Sequence, residues 1–365
     1  MKVVRCYWIS SLLIIISCSL ALYLWIIDYD QRRMLAHVGI SSSKHKAVMH
    51  VAVVLCGGNR LQETLIMMKS ALLLSKRTLH FHAFVDDDNV YVDEELRRWP
   101  DIVKARLTVT LYPVSYPNNI DMKEWRAMYK PCATQRLFLP YMIPEHITDV
   151  VLYVDVDVLF MRPIENLWEY LNRFNSTHIA AMSADTELVD KNSWYPNNAR
   201  HPYYGRSGVN SGVILMHMNR MRQAGWKRHI INYYNQYRNN ITLGDQDLIN
   251  IFFHKFPSKL FVLPCNSNFR PEHCTGNIVN CNSAIEHGML LLHGVHGIFR
   301  QEANHVFKIC FDVFQRFRLE EKSEFLLQNL RDSVSEIKQQ NFSQCMQVAQ
   351  LIHKQIKQQL SSSTL

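Results

Sequence analysis

Apolar runs of strand length alternate with helical segments along most of the chain. Val51-Ala52-Val53-Val54-Leu55 reads as a buried strand, Cys56-Gly57-Gly58-Asn59 as a tight turn, and Leu61 to Leu74 as an amphipathic helix. Leu79 to Val85 is a second strand, running into Asp86-Asp87-Asp88, and Leu107 to Leu111 a third, with a helical Glu94 to Trp99 between them. A helix follows through Ala133 to Tyr141. Val150 to Phe160 is the most strongly patterned stretch: a β-branched apolar run that carries Asp155 and Asp157 before the chain turns off through Met161-Arg162-Pro163. Glu165 to Phe174 then reads as a helix, Ile179 to Met182 and Val209 to Met216 as strands, and Leu248 to Phe253 as a helix behind Leu243-Gly244-Asp245-Gln246-Asp247, where acids suit a helix amino terminus. Met289 to His293 is the last strand, ending at a glycine, and helix follows from about Asn304. This rhythm predicts an α/β fold with a mainly parallel sheet, in which ligands bind beyond the carboxyl ends of the strands.

The amino end departs from the rhythm. Cys6 to Ile27 holds no charged residue and is long enough to cross a bilayer. A cleaved signal peptide would have an apolar core of about 7–15 residues and a small-residue cleavage site, so a signal anchor fits better. The expected layout is a cytosolic tail at 1–5, a transmembrane anchor at 6–27, a stem at 28–48, a catalytic-type α/β domain at 49–320 and an exposed helical tail at 321–365. Three sequons (Asn175, Asn240 and Asn341) and seven cysteines beyond the span place that domain in an oxidising lumen, giving a single-pass type II protein of the Golgi or endoplasmic reticulum. The cysteine number is odd, so one thiol is free or pairs elsewhere. Cys265, Cys274 and Cys281 lack the C-x₂-C spacing of a zinc site and read as disulfide partners.

Composition changes little. A chain of 365 residues, 48% hydrophobic and 20% charged, is globular rather than disordered or fibrous. Its net charge of +8 suits an anionic nucleotide and a membrane surface, and no nucleic-acid-binding motif is present. Asp155 and Asp157 at a strand end suit a hard cation such as Mg²⁺ or Mn²⁺, and an imidazole at His293 would complete a set that leaves positions open for a diphosphate. The long loop from Asp185 to Gly208 carries Trp194, Tyr195, Tyr203 and Tyr204, either to stack on sugar rings or to pack on one another.

Five strings stand in order: Gly57-Gly58, Leu152-Tyr153-Val154-Asp155-Val156-Asp157, Val209-Asn210-Ser211-Gly212, Gly244-Asp245-Gln246-Asp247 and Leu292-His293-Gly294. In this order they resemble the glycogenin-like retaining glycosyltransferases of family 8, over about residues 49 to 310. Lys130 to Pro140, His201 to Gly205 and Phe269 to Cys274 are most similar to the glucoside xylosyltransferases within it. The resemblance implies a GT-A fold, Mn²⁺ dependence and UDP-xylose as donor. It also implies transfer, with α-configuration kept and an α1,3 linkage, to O-linked glucose on epidermal-growth-factor-like repeats of Notch-type proteins. By position, Asp155, Asp157 and His293 match the metal ligands. Cys56, Gly57, Arg136, Asp155, Asn210 and Gly294 match donor-binding positions, and Asp245 and Gln246 match the pair beside the donor sugar. Glycogenin relatives continue from the His-Gly turn to a lysine on the diphosphate. Here Val295-His296-Gly297-Ile298-Phe299-Arg300 follows, so His296 or Arg300 would have to supply that charge. The alternatives are a UDP-glucose or UDP-galactose donor, a haloacid-dehalogenase-type phosphatase with Asp155 as nucleophile, and a non-catalytic lumenal sugar-binding protein.

Overall fold

Four strands run side by side in one direction because the chain between them always crosses back over a face of the sheet. They are β1 (Met49–Leu55), β2 (Leu79–Val85), β3 (Leu107–Pro113) and β4 (Val150–Val154), and α1 (Arg60–Leu74) makes the first crossover. With β6 (Ala180–Ser183), β7 (Val213–His217) and β8 (Leu260–Leu263) they form a seven-stranded sheet of order β3-β2-β1-β4-β7-β6-β8. Only β7 runs against its neighbours, so four of the six pairings are parallel. Both faces are covered. Val51, Val53 and Leu55 of β1 pack with Met67, Met68 and Ala71 of α1, while Ala52 shares the other core with Trp125, Phe138 and Phe252. That double burial is why the strands read as near-continuous apolar runs. The chain winds from β1 out to β3 and then returns to β4 on the other side of β1, which makes a topological switch point between β1 and β4.

This computed structural model describes residues 48–365 except 58–59, 87–90, 118–119, 131, 191–192, 276–277, 302–305, 340–345 and 362–365. The expected anchor at Cys6 to Ile27, the stem, Gly58 and the Asn341 sequon lie outside the described residues. Among the described residues no helix is long and apolar enough to cross a membrane. Asn175 and Asn240 are exposed.

The Val150 to Phe160 run is two strands rather than one. β4 ends at Val154, Asp155 to Asp157 form a turn, and β5 (Val158–Phe160) leaves the main sheet. Beyond the small Cys274–Thr275 (β9) and Ile278–Val279 (β10) ladder, β11 (Leu291–His293) pairs antiparallel with β5 in the register His293↔Val158. Pairing with a second partner is what pulls the chain out of the sheet at the two aspartates, and it carries His293 to them.

The tail is not the exposed appendage expected. After α2 (Trp226–Tyr237), α3 (Asp245–Lys255) and α4 (Val306–Arg316), helices α5 (Ser323–Gln339) and α6 (Met346–Ser361) pack on the β11 side of the molecule. Val348, Ala349, Ile352 and Ile356 fall on one face of α6 and are fully buried. The Lys and Gln residues that dominate the composition are mostly the outer face. Among the described residues Gln355 is the exception: it is buried, donates to the carbonyls of Met161 and Met289, and accepts from Met289 N at 3.0 Å.

Disulfides join Cys56 to Cys132 and Cys265 to Cys281, and Cys274 is also disulfide-bonded. Cys310 is the free thiol among the described residues, and burial pushes it up to about 12.

Candidate active site

The turn after β4 and the end of β11 bring two carboxylates and one imidazole together. His293 Nε2 lies 3.6 Å from Asp155 Oδ2 and 3.5 Å from Asp157 Oδ1, and ligand atoms of all three residues fall within 4.8 Å of one another. His293 Nδ1 is 2.9 Å from Asn268 Oδ1, an oxygen that can only accept. The ring proton is therefore on Nδ1 and the Nε2 lone pair faces the carboxylates, the arrangement that orients a ligating histidine. Two carboxylate oxygens and one nitrogen fit a divalent cation of the Mn²⁺ or Mg²⁺ kind. With no cation bound, burial lowers the His293 pKa but Asp155 and Asp157 outweigh it and raise it, favouring a proton on Nε2 in the place a cation would take.

Gly212 is where the backbone comes closest to this set. A Cβ placed there would lie 2.0 Å from His293 Cε1. A Gly212→Ala chain is expected to bind divalent cation about 10–100-fold more weakly, as when an orienting partner of a ligand is lost. Calorimetric titration of wild type and variant measures this, and equal affinities would rule it out.

Arg136 is the buried cation behind the site. It sits on a 3-10 helix, Ala133–Phe138, tied to the end of β1 through Cys56–Cys132. Its Nη1 lies 3.0 Å from Asp155 Oδ1 and donates to Ser211 O at 2.8 Å, and its guanidinium lies 4.7 Å from the centre of the Tyr153 ring. Nε lies 3.0 Å from Asp245 Oδ2, yet its hydrogen is directed to Ala133 O, so that contact is electrostatic rather than a hydrogen bond. Burial disfavours the charged guanidinium, but Asp155 and Asp245 outweigh this and hold it cationic. Burial likewise works against an ionised Asp155, yet Arg136, His293 and the Tyr153 hydroxyl at 2.6 Å keep its pKa low. Asp245 goes the other way. Burial and nearby Asp155 outweigh Arg136 and raise it to about 6.

Gln246, at the start of α3, faces the same cleft. Its Oε1 accepts from Ser211 N at 3.0 Å and its Nε2 reaches Asp185 Oδ1 at 3.4 Å. Asn210 links this wall to the metal side: its Nδ2 lies 3.4 Å from Asp185 Oδ1 and its Oδ1 accepts from Asn268 Nδ2 at 2.9 Å. Behind them Arg270, almost fully buried, donates to the carbonyls of Ala184 and Asp185. Asp247 does not enter the cleft. It accepts from Thr242 N, Leu243 N and Tyr195 Oη and so fixes the loop before α3.

The cleft, about 640 Å³, thus gathers Arg136, Asp155, Asp157, Asn210, Asp245, Gln246 and His293. Cys56, Gly57 and Gly294 do not line it. Cys56 is in the disulfide, Gly57 N donates to Asp86 Oδ2 at 2.7 Å, and Gly294 N donates to Asp157 O at 2.6 Å. Of the two cations weighed for the diphosphate, His296 lines the cleft, 3.1 Å from Glu272, whereas Arg300 turns to Glu63 at 3.3 Å. In the aromatic loop only Trp194 lines the cleft. Tyr195 is buried against Trp194 and Tyr203. Sequence reasoning gave no role to Asp185, Ser211, Asn268 or Lys130, the last of which also lines the cleft.

A Glycosyl transferase family 8 domain matches residues 51–260. Glucoside xylosyltransferase 2 of Xenopus laevis is 41% identical over 285 residues, covering 75% of this chain and 66% of that protein. Glucoside xylosyltransferase 1 of Rattus norvegicus is 43% identical over 287 residues, 75% of this chain and 64% of that protein. The chain therefore spans about two thirds of the length of these relatives. In fold it is similar to the galactosyltransferase LgtC, solved in complex with donor and acceptor sugar analogs, with a TM-score of 0.54 at 15% identity over 78% of this chain and 100% of that one. The match sets aside the phosphatase reading of Asp155. With the domain match covering more than half of its residues, the chain belongs to glycosyl transferase family 8.

Proposed function

We propose that this protein is a retaining glycosyltransferase that moves xylose from UDP-xylose, in α-linkage, to glucose O-linked on epidermal-growth-factor-like repeats of the Notch type. The observation that carries the reading is the Asp155, Asp157 and His293 set facing Gln246 across one cleft, in a chain whose relatives are named glucoside xylosyltransferases. Mn²⁺ held by those three residues would neutralise charge on the leaving diphosphate. Lys130 and His296 extend the cationic wall along the cleft and take the place of the family's lysine.

The chain's own groups favour a front-face route. Asp245 is buried against Arg136, so it is poorly placed as a covalent nucleophile, and the amide of Gln246 is a weak one. The bond from the anomeric carbon to the diphosphate oxygen breaks, the acceptor oxygen bonds to that carbon from the same face, and the departing oxygen takes the acceptor proton. Gln246, held by Ser211 and Asp185, steadies the positive sugar.

Glucosylated repeats incubated with protein and UDP-xylose are expected to gain a pentose by mass spectrometry. Gln246→Ala is expected to lower turnover by about 10²–10³, the scale of one electrostatic contact, rather than eliminate it. A hexose gain with UDP-glucose or UDP-galactose and none with UDP-xylose would overturn the donor assignment alone.

The proposed location is supported by the uncharged span Cys6 to Ile27, read as an anchor, and by the sequons at Asn175 and Asn240, both exposed. On this proposal residues 28–365 face the lumen of the Golgi or endoplasmic reticulum. In sealed microsomes the large domain resists added protease and shifts in mass with endoglycosidase; digestion from outside would contradict this topology.

A further inference from the structure

A second cluster of metal-binding side chains lies away from the cleft. His50 of β1 pairs in register with His80 of β2, and His82 stands two residues further along the same strand, so all three imidazoles project from one face of the sheet. Ligand nitrogens of the three lie within 4.8 Å of one another, and His50 Nδ1 is 3.0 Å from His82 Nε2. The other nitrogen of two of these rings is already held. His82 Nδ1 meets the Tyr112 hydroxyl at 3.1 Å, and His80 Nε2 meets Thr110 Oγ1 at 2.8 Å. A hydroxyl can accept from a ring N–H, and in the tautomer protonated on that side the opposite nitrogen is a free lone pair. Level with His50 and His80 in the sheet is Val151, four residues before Asp155, and level with His82 is Tyr153, two before it, so the cluster lies ~7–13 Å back along the strands from the cleft.

We propose that His50, His80 and His82 form a zinc site, distinct from the cation site of the cleft, that ties β1 to β2 and through the hydroxyls to β3. Three imidazoles on neighbouring strands are a known Zn²⁺ donor set, with water as fourth ligand. His50 and His80 are part-exposed, which gives the ion a way in and the water a place. The two sites select different ions. An all-nitrogen set favours Zn²⁺ over Mn²⁺, whereas two carboxylates and one imidazole suit Mn²⁺. The competing arrangement is a metal-free ladder in which His50, His82 and Tyr112 only hydrogen-bond to one another.

The test uses the whole domain stripped with chelator, with Mn²⁺ present to fill the cleft site, and titrates Zn²⁺ by calorimetry and Co²⁺ by visible absorption. Wild type and Asp157→Ala are expected to bind one Zn²⁺ per chain and to give the intense bands of tetrahedral Co²⁺. His50→Ala and His80→Ala, made at the part-exposed positions, lower that affinity more than about 100-fold while retaining transfer activity with Mn²⁺. Zn²⁺ uptake lost in Asp157→Ala but unchanged in the histidine variants would overturn the proposal. So would wild type that binds no Zn²⁺ or shows no tetrahedral Co²⁺ bands, a readout that needs no variant to fold.

Discussion

Asp157→Ala is expected to leave the fold intact and to lower transfer by at least about 10³-fold, the scale on which charge stabilisation of a leaving group operates. Asp157 is the cleaner of the two aspartates to remove. Among the described residues its carboxylate has one ion-pair contact, His293 at 3.5 Å, whereas Asp155 also balances Arg136 and accepts from Tyr153. Asp155→Ala would therefore mix lost metal binding with an uncompensated buried cation. Wild-type protein in excess chelator is expected to fall silent in the same way. Circular dichroism checks folding and pentose transfer checks activity. Undiminished transfer in chelator, or by Asp157→Ala, would remove the metal from the reaction.

Arg136→Ala has its largest effect on stability, a loss of about 3–5 kcal/mol, because removing one partner of a buried ion pair leaves the others uncompensated. Two carboxylates, Asp155 at 3.0 Å and Asp245 at 3.0 Å, would then face each other without the guanidinium, and Ser211 O would lose its donor. Lysine is a poor replacement, since one ammonium cannot reach both carboxylates and the Ser211 carbonyl in the same geometry. Denaturant unfolding measures the loss. Adding Asp245→Asn to Arg136→Ala is expected to restore part of it, because one of the stranded charges is gone, and such non-additivity is the signature of a shared network. Additive losses in the double variant would show that Arg136 and Asp245 act independently.

Much of this was legible in the sequence wherever a residue's neighbours in space are also its neighbours along a strand. β2 spans Leu79–Val85 as its apolar run predicts, and the Asp-x-Asp at the end of β4 stands at the carboxyl edge where such sheets bind ligands. The departures have local causes. The strand expected from Val209 begins only at Val213, because side chains take two backbone donors before it: Ser211 N goes to Gln246 Oε1 and Gly212 N to Asn210 Oδ1. The helix expected over Ala133 to Tyr141 is a 3-10 turn followed by the short helix Leu139–Met142. It is entered through Cys132, which is held left-handed at φ 59°. Asn268 and Asp185 had no signal at all. They act through contacts with Asn210 and His293 that depend on non-local pairings, β11 with β5 and β6 with β7, which no sequence window spans.

Gln355 gives the end of the chain a role in the centre of the protein. Its single amide joins Met161, just after β5, to Met289, just before β11, and so fastens the hairpin that holds Asp157 and His293 in register. A message cut short by a premature stop anywhere between codons 300 and 350 would still encode every residue of the cleft, yet its product would lack the clasp. Such an allele would read as catalytically complete and behave as a null.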